Sequence, residues 1–182
     1  VKLSTVAPGN PDRGAPRVQA LYVLYDRVTL TPVALIDGTA LTTLRTPAVS
    51  AVAVDHLAAP GAQRLVVFGS GPQAWGHVEA LRTVRPLADV AVVGRDRDRA
   101  EALALRVGDS GLSARVGSAD DVTDADVVVC ATTARRPLFD GGRLRPGTCV
   151  VAVGSHEPDA REVDDATIGS AQRVVVESRG VA

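Results

Sequence analysis

Aromatic residues are scarce in this chain of 182 residues, where two Phe, two Tyr and one Trp make up 3% of the sequence. This scarcity argues against platforms that stack on nucleic-acid bases or on sugars. It also predicts a core built from valine, leucine and alanine. Neither sign of charge is in excess, since 20 Lys and Arg face 21 Asp and Glu. A balanced chain has no strong field to attract nucleic acid or an anionic membrane, so neither is expected as a partner.

Long apolar runs, cysteine and methionine are also lacking. No run approaches the ~18 residues that a membrane-spanning helix needs. The two cysteines cannot form a disulfide framework and fit a reducing compartment, so we expect a cytoplasmic protein. No cluster of His and Cys has metal-ligand spacing, so no metal site is predicted. The chain contains no Met and begins at Val1, from which we expect a processed or truncated chain.

The first part of the sequence, residues 1–60, has the composition of a small mixed domain. Two strand-like runs, Val18–Tyr25 and Pro32–Ile36, are separated by a short turn and predict a β-hairpin. Thr39 or Thr42 is expected to cap the helix that follows. We interpret this region as part of a smaller α+β domain that ends near Pro60.

The second part, residues 61–182, alternates apolar runs with helical patterns. Six runs are expected to form strands: Leu65–Phe68, Val90–Val93, Ala114–Val116, Asp126–Ala131, Cys149–Val153 and Arg173–Val176. Strands that alternate with helices predict βαβ units with right-handed crossovers and a parallel sheet. The predicted fold class is therefore α/β, a doubly wound parallel sheet of the Rossmann type.

A glycine-rich motif, Gly69–Ala74, stands between the first of these strands and a predicted helix. Its pattern is G-x-G-x-x-A, and this context is the one that dinucleotide binding requires. Gly69 permits the tight turn, Gly71 lets the backbone approach a pyrophosphate, and Ala74 lets the helix pack closely. The predicted cofactor-binding loop also includes Ser70, Pro72 and Gln73. The alternative is a structural glycine turn in a domain that binds no nucleotide.

The end of the second strand indicates which dinucleotide is bound. An acidic residue ~20 positions beyond the fingerprint is typical of NAD enzymes. Here that place is taken by Arg95, after Gly94, and a guanidinium suits the 2′-phosphate of NADP. NADP(H) is therefore favoured over NAD(H). The alternative is that Arg95 belongs to a solvated run of charges and Asp96 binds the ribose of NAD.

Four segments together resemble the ornithine cyclodeaminase/μ-crystallin family, over the whole chain. The Leu-Thr-x-Leu-Arg-Thr stretch and the Gln-Ala-x-x-His continuation of the glycine loop are the most specific. The segments are Ala34–Ala48, Gly69–His77, Cys130–Thr133 and Val153–Asp164. Complete family members extend further at both ends, so we expect part of the substrate domain and the closing C-terminal helices to be absent here.

The resemblance implies an enzyme that binds NAD(P) in the Rossmann domain and a small amino or imino acid in a cleft. It also implies that residues 1–60 are part of a substrate-binding and dimerisation domain, and that the protein is a homodimer when it has its full length. The expected chemistry is hydride transfer to or from the α-carbon of the amine/imine pair, as in ketimine reductases. Two alternatives stay open. One is an ornithine cyclodeaminase, which makes L-proline and ammonia, and the other is a non-catalytic, crystallin-like protein that binds dinucleotide.

The resemblance also implies residue roles. Lys2 and Arg45 are expected to bind the substrate carboxylate, for which a guanidinium and a point charge are suited. Gln73 is expected beside the pyrophosphate. Thr132 is expected to border the nicotinamide half of the cofactor. The alternative for Lys2 and Arg45 is an exposed surface position without a role.

Two further site residues are expected at the end of the fifth strand, and a third residue, His156, departs from the family pattern. Val153 and Gly154 lie at the carboxyl edge of the predicted sheet, where such sheets bind ligands. Cyclodeaminases have an aspartate where this sequence has His156. A histidine suits proton donation near neutral pH but offers no anion to a diamino acid, which favours the ketimine reductase branch. The alternative is a loop histidine without a role.

Overall fold

The computed structural model describes residues 1–155 and 157–177, and it divides the chain into two compact units. The first unit spans residues 1–46 and the second begins at Pro47. The helix Gly38–Leu57, called α1, contributes residues to both units. The boundary expected near residue 60 thus coincides with the end of this helix, whereas the division between the units lies inside it.

The first unit is a three-stranded antiparallel sheet followed by the start of α1. Its strands, in the order β1-β2-β3, are β1 (Lys2–Val6), β2 (Val18–Tyr25) and β3 (Pro32–Asp37). The predicted hairpin is confirmed as β2 and β3, which pair in antiparallel register. β1 was not predicted, because its polar residues hide the alternation of a short strand. A short 3-10 helix, Pro11–Arg13, lies between β1 and β2.

The expected cap of α1 is wrong. Asp37 is the residue that caps the helix, since its Oδ1 accepts hydrogen bonds from the backbone N–H groups of Thr39 at 2.8 Å and Ala40 at 3.0 Å. The hydroxyl of Thr39 instead accepts from the N–H of Ala20 at 2.9 Å, and that of Thr42 donates to the carbonyl of Gly38. A carboxylate one residue before the helix therefore replaces the two threonines as the cap.

The second unit is a five-stranded parallel sheet with helices, and the predicted Rossmann-type α/β fold is confirmed. Its strand order is β6-β5-β4-β7-β8, that of a doubly wound sheet. The strands are β4 (Arg64–Phe68), β5 (Asp89–Val93), β6 (Ser113–Val116), β7 (Val127–Cys130) and β8 (Cys149–Ala152). The α-helices are the end of α1, α2 (Pro72–Leu81), α3 (Arg97–Asp109) and α4 (Asp165–Ser170). Two 3-10 helices, Ala119–Asp124 and Gly141–Arg143, complete the unit.

The sixth expected strand is absent from the part of the chain that is described. Residues Arg173–Val176 have no regular structure and their valines are exposed. A strand needs a neighbouring backbone to pair with, and none of the described hydrogen bonds provides one for this run. Apolar composition alone therefore predicted a strand where the described chain contains no partner for it.

Alternate residues of each central strand supply two cores, one on each face of the parallel sheet. Leu65 and Val67 of β4 pack with the apolar residues of α1, α2 and α3, while Val66 and Phe68 pack on the other face. There the ring of Phe68 stacks on Phe139 at a centroid distance of 5.4 Å. All residues of β7 are buried, as expected for a strand covered on both sides. Valine, leucine and alanine dominate these cores, as predicted. No described helix is both long and apolar enough to cross a membrane.

Candidate dinucleotide site

The glycine loop begins where three strands of the parallel sheet end. Gly69 has φ +119°, a conformation that favours glycine, and a Cβ on it would lie 2.5 Å from the carbonyl oxygen of Ala131. Its N–H donates to the carbonyl of Val93 at 2.8 Å. The chain therefore turns between the ends of β5 and β7, and no side chain fits there. Ala74, the last residue of the motif, is fully buried.

The amino end of α2 has the properties of an anion-binding site. Gly71 is the N-cap, Pro72 opens the first turn, and no side chain caps the helix. A Cβ on Gly71 would meet no heavy atom within 4 Å, so open space lies before the helix. First-turn N–H groups and the helix dipole attract phosphate. The residues present thus fit the pyrophosphate of a dinucleotide, and a side chain at position 71 would fill the space that it needs.

The end of β5 adjoins this loop. A Cβ on Gly94 would lie 3.3 Å from the Cβ of Ala100 and 3.5 Å from the Oγ of Ser70, so a larger residue would crowd both. Arg95 is exposed, and its side chain takes part in none of the hydrogen bonds or ion pairs found among the described residues. Asp96 is the N-cap of α3, and its carboxylate accepts from the N–H of Arg99 at 3.1 Å. The guanidinium of Arg95 is thus available to a ligand at this edge.

The ends of β7 and β8 are joined by a buried carboxylate that sequence reasoning did not select. Glu162 is 1% exposed. Its Oε1 accepts from the N–H and the hydroxyl of Thr132, both at 2.7 Å, and its Oε2 accepts from the N–H of Gly154 at 2.7 Å. The N–H of Val153 donates to the carbonyl of Cys130 at 3.0 Å, which continues the pairing of β8 with β7. Thr132, Val153 and Gly154 are therefore neighbours.

Gly154 is required by this arrangement. A Cβ there would lie 2.0 Å from the carbonyl oxygen of Thr132 and 2.6 Å from Oε1 of Glu162. The sequence carried no signal for Glu162, because an isolated glutamate in a loop is usually solvated. Its burial depends on the loop after β8 returning to the sheet edge, a tertiary feature that periodicity does not encode.

His77 is a packed helix residue. Its ring is buried, with Nδ1 2.7 Å from the carbonyl oxygen of Gln73 and Nε2 2.9 Å from the Oγ of Ser50. A carbonyl only accepts, so Nδ1 carries the proton and Nε2 accepts from the serine. Burial lowers the pKa of His77. A neutral imidazole therefore links Gln73 of the glycine loop to α1.

The expected carboxylate-binding residues both lie in the first unit. The Nζ of Lys2 donates to the Oγ1 of Thr42 at 2.7 Å. Arg45 is exposed and lies three residues further along α1, a separation that places residues on one side of a helix. β1 and α1 therefore bring the two cations to the same region of this unit. His156 lies outside the described residues.

The two cysteines are free. Burial raises the pKa of both thiols, and the negative charge of Glu162 adds to the effect at Cys130. A thiol with a raised pKa is a poor nucleophile. Cys130 and Cys149 are accordingly unreactive thiols packed in the core.

Comparison with known proteins identifies the family. A model of the ornithine cyclodeaminase/mu-crystallin family matches residues 1–181. The chain belongs to this family. It is 36% identical to a Delta(1)-pyrroline-2-carboxylate reductase of Bacillus cereus over 185 residues, which cover 100% of this chain and 57% of that protein. It is 37% identical to the ketimine reductase mu-crystallin of Rattus norvegicus over 165 residues, 90% of this chain and 52% of the relative.

A solved structure gives the same result for the fold. The Delta(1)-pyrroline-2-carboxylate reductase of Thermococcus litoralis, in complex with NADH and L-proline, superposes with a TM-score of 0.87. It is 32% identical in sequence, and the match covers 92% of this chain and 53% of that one. The chain thus spans a little over half the length of the relatives it matches.

Proposed function

We propose that the chain carries the dinucleotide-binding part of an NAD(P)-dependent reductase that acts on a small imino acid. The observation that carries this proposal is the amino end of α2, where Gly71 leaves open space before a helix that no side chain caps. Support comes from the relatives, which include two proteins named as imine or ketimine reductases. When bound, the reduced cofactor supplies a hydride for the carbon of a C=N bond.

The residues of this chain have separate roles in the proposal. Gly69, Gly71 and the first turn of α2 bind the pyrophosphate, while Thr132 and Gly154 border the nicotinamide half. Lys2 and Arg45 bind the substrate carboxylate, which orients the imine. His156 donates the proton that the nitrogen takes up as the carbon is reduced.

Titration with dinucleotide tests the proposal, and two glycines provide a matched pair. Positions 71 and 61 both have open space around a Cβ and neither has a positive φ, so valine fits at either in the free protein. Gly61 precedes β4, at the opposite edge of the sheet. We expect G71V to weaken NADPH and NADH binding at least tenfold and G61V to leave it unchanged. Equal affinities in the two variants would contradict the proposed site.

We further propose that NADP(H) is preferred over NAD(H), through Arg95. Support comes from its exposed guanidinium and from the use of Asp96 as a helix cap. We expect Arg95→Ala to weaken NADPH binding about tenfold and NADH binding little, since the 2′-phosphate is absent from NADH. Arg82→Ala, at the exposed C-cap of α2, is the control. An equal loss for both cofactors would contradict recognition of the 2′-phosphate by Arg95.

Substrate and assembly complete the proposal. An assay of NAD(P)H oxidation with cyclic ketimines tests the reduction, and ammonia release from ornithine without net change in cofactor absorbance would identify a cyclodeaminase instead.

We propose a homodimer through the first unit, supported by the exposed apolar side chains of Leu3, Leu21 and Leu35. A monomer at all concentrations of the full-length protein would contradict it. The two free cysteines support a cytoplasmic location.

A further inference from the structure

Glu162 is a buried carboxylate whose described partners all donate hydrogen bonds. The N–H groups of Thr132 and Gly154 can only donate. The hydroxyl of Thr132 already accepts from the N–H of Ala134 at 3.0 Å, so its own hydrogen is directed to Glu162. An ionised carboxylate only accepts hydrogen bonds, so three donors suit it, whereas a protonated carboxyl group would also need an acceptor. The charged form is therefore the one that this environment is built to bind.

No cation of the described chain lies within ion-pair distance of this carboxylate. None of the ion pairs among the described residues involves Glu162, and His77, the neighbouring group that could carry a positive charge, is kept neutral by burial. The field of Glu162 reaches neighbouring groups, since it contributes to the raised pKa of the Cys130 thiol. A buried charge without a counter-ion is costly and is therefore unusual without a function.

The position of this charge relative to the candidate site follows from the topology. A dinucleotide whose pyrophosphate binds at α2 extends across the carboxyl ends of the strands. Arg95 and Gly94 mark the adenosine side, at β5. The nicotinamide side is then at β7 and β8, where Thr132 and Gly154 contact the carboxylate.

We propose that Glu162 is a positioning residue that fixes the ends of β7 and β8 and whose charge favours the oxidised nicotinamide. The oxidised ring carries a positive charge and the reduced ring is neutral, so a nearby anion stabilises only the former. This selectivity rests on the proposed dinucleotide binding. In the reducing direction the charge helps the product form as the hydride leaves the ring.

The test compares binding of the oxidised and reduced cofactor in wild type and in Glu162→Gln. The glutamine keeps the shape and removes the charge. We expect the ratio of the dissociation constants for NAD⁺ and NADH to shift about fivefold against NAD⁺, because the variant lacks the Coulomb attraction between the carboxylate and the charged ring. A purely structural role would weaken both forms alike and leave the ratio unchanged, which would overturn the proposal.

Two controls separate charge from structure. Thr132→Val removes one donor to the carboxylate but no charge, so both affinities should change together. Glu162→Asp keeps the charge and should keep the wild-type ratio. A large shift of the ratio in Thr132→Val would overturn the proposal.

A measurement on the wild type alone covers the case in which Glu162→Gln does not fold. Benzamide adenine dinucleotide has a neutral ring of the same shape as oxidised nicotinamide. We expect wild type to bind NAD⁺ about fivefold more tightly than this analogue, for the same electrostatic reason. Equal binding would overturn the role of Glu162 while leaving the proposed function intact. Failure of wild type to bind any dinucleotide would instead contradict the proposed function itself.

Discussion

Both sheets of this chain contain apolar side chains, but the two sheets differ in how far these side chains are buried. In the parallel sheet every residue of β7 is buried, whereas every residue of β1 in the antiparallel sheet is exposed. Leu3 and Leu21 are paired across β1 and β2 on one face, and they are 62% and 44% exposed. The parallel sheet has apolar cores on both faces, while this face of the antiparallel sheet is uncovered by the described chain. The apolar residues of a strand therefore indicate which face of a sheet should be buried, but they do not indicate which part of the protein packs on that face.

The largest expected effect comes from making the same substitution in both sheets. Leu65 in β4 is 1% exposed and Leu35 in β3 is 72% exposed. Leu65→Ala is expected to lower the free energy of unfolding by about 2–5 kcal/mol, because it leaves a cavity in a packed core. Leu35→Ala should change it by less than about 0.5 kcal/mol. Urea denaturation measures both.

The same pair also sharpens the comparison. Trp75 lies in α2 and both tyrosines lie in β2, so the two kinds of fluorophore report on different units. If Leu35→Ala destabilised the protein as much as Leu65→Ala, the face that carries Leu35 would be covered in solution. Loss of a dimer in that variant would identify the cover.

The next effect concerns Arg85, a buried cation that binds the end of α1. Its guanidinium donates to the carboxylate of Asp55 at 2.8 Å and to the carbonyls of Val54 at 2.9 Å and Ala58 at 3.0 Å. Arg85→Ala removes the guanidinium hydrogen bonds to these acceptors, among them the buried carbonyl of Ala58, and should destabilise the protein by about 3 kcal/mol. Arg82→Ala, which removes only an exposed pair with Glu79, should cost less than about 1 kcal/mol. Similar losses of stability in the two variants would show that the buried hydrogen bonds of Arg85 contribute no more than the exposed ion pair of Arg82.

A smaller effect is the pH dependence due to His77, whose pKa is lowered by burial. The unfolded chain then binds a proton more readily than the folded one. The contribution of His77 to stability is complete above the unfolded pKa of ~6.5 and is lost as the pH falls below it. His77→Gln should flatten the curve of stability against pH between about 7 and 5. His56→Gln, exposed on α1, is the control, and an unchanged curve in His77→Gln would contradict this origin.

Most of the second unit could be predicted because its signals are local. The run Val127–Cys130 is continuously apolar, and the motif at Gly69 stands directly between a strand and a helix. β1 could not be predicted, since its five residues are exposed and are defined by pairing with β2. The strand predicted at Arg173–Val176 was wrong for the opposite reason, because this run has the composition of a strand but no described strand to pair with.

The same distinction between local signals and tertiary contacts applies to the candidate site. The glycine loop and Arg95 were found from spacing along the chain. Glu162 was missed, because its three hydrogen bonds link segments up to 30 residues apart and no local pattern marks a glutamate for burial. The candidate site thus combines a local motif with a tertiary contact, and only the motif is visible in the sequence.

The smallest effect tests whether the two units differ in polar contacts as they do in apolar burial. Asp37 caps α1 in the first unit and Asp96 caps α3 in the second. A cap acts through hydrogen bonds to the adjacent backbone and needs no covered sheet, so Asp37→Ala and Asp96→Ala should each cost about 1 kcal/mol. Asparagine at either position should restore most of the loss. Hydrogen exchange of the first-turn amides measures each helix separately. Equal losses of stability would mean that local hydrogen bonds specify the start of a helix equally well in both units. A clearly smaller loss at Asp37 would mean that the start of α1 depends on whatever covers the exposed face of the antiparallel sheet.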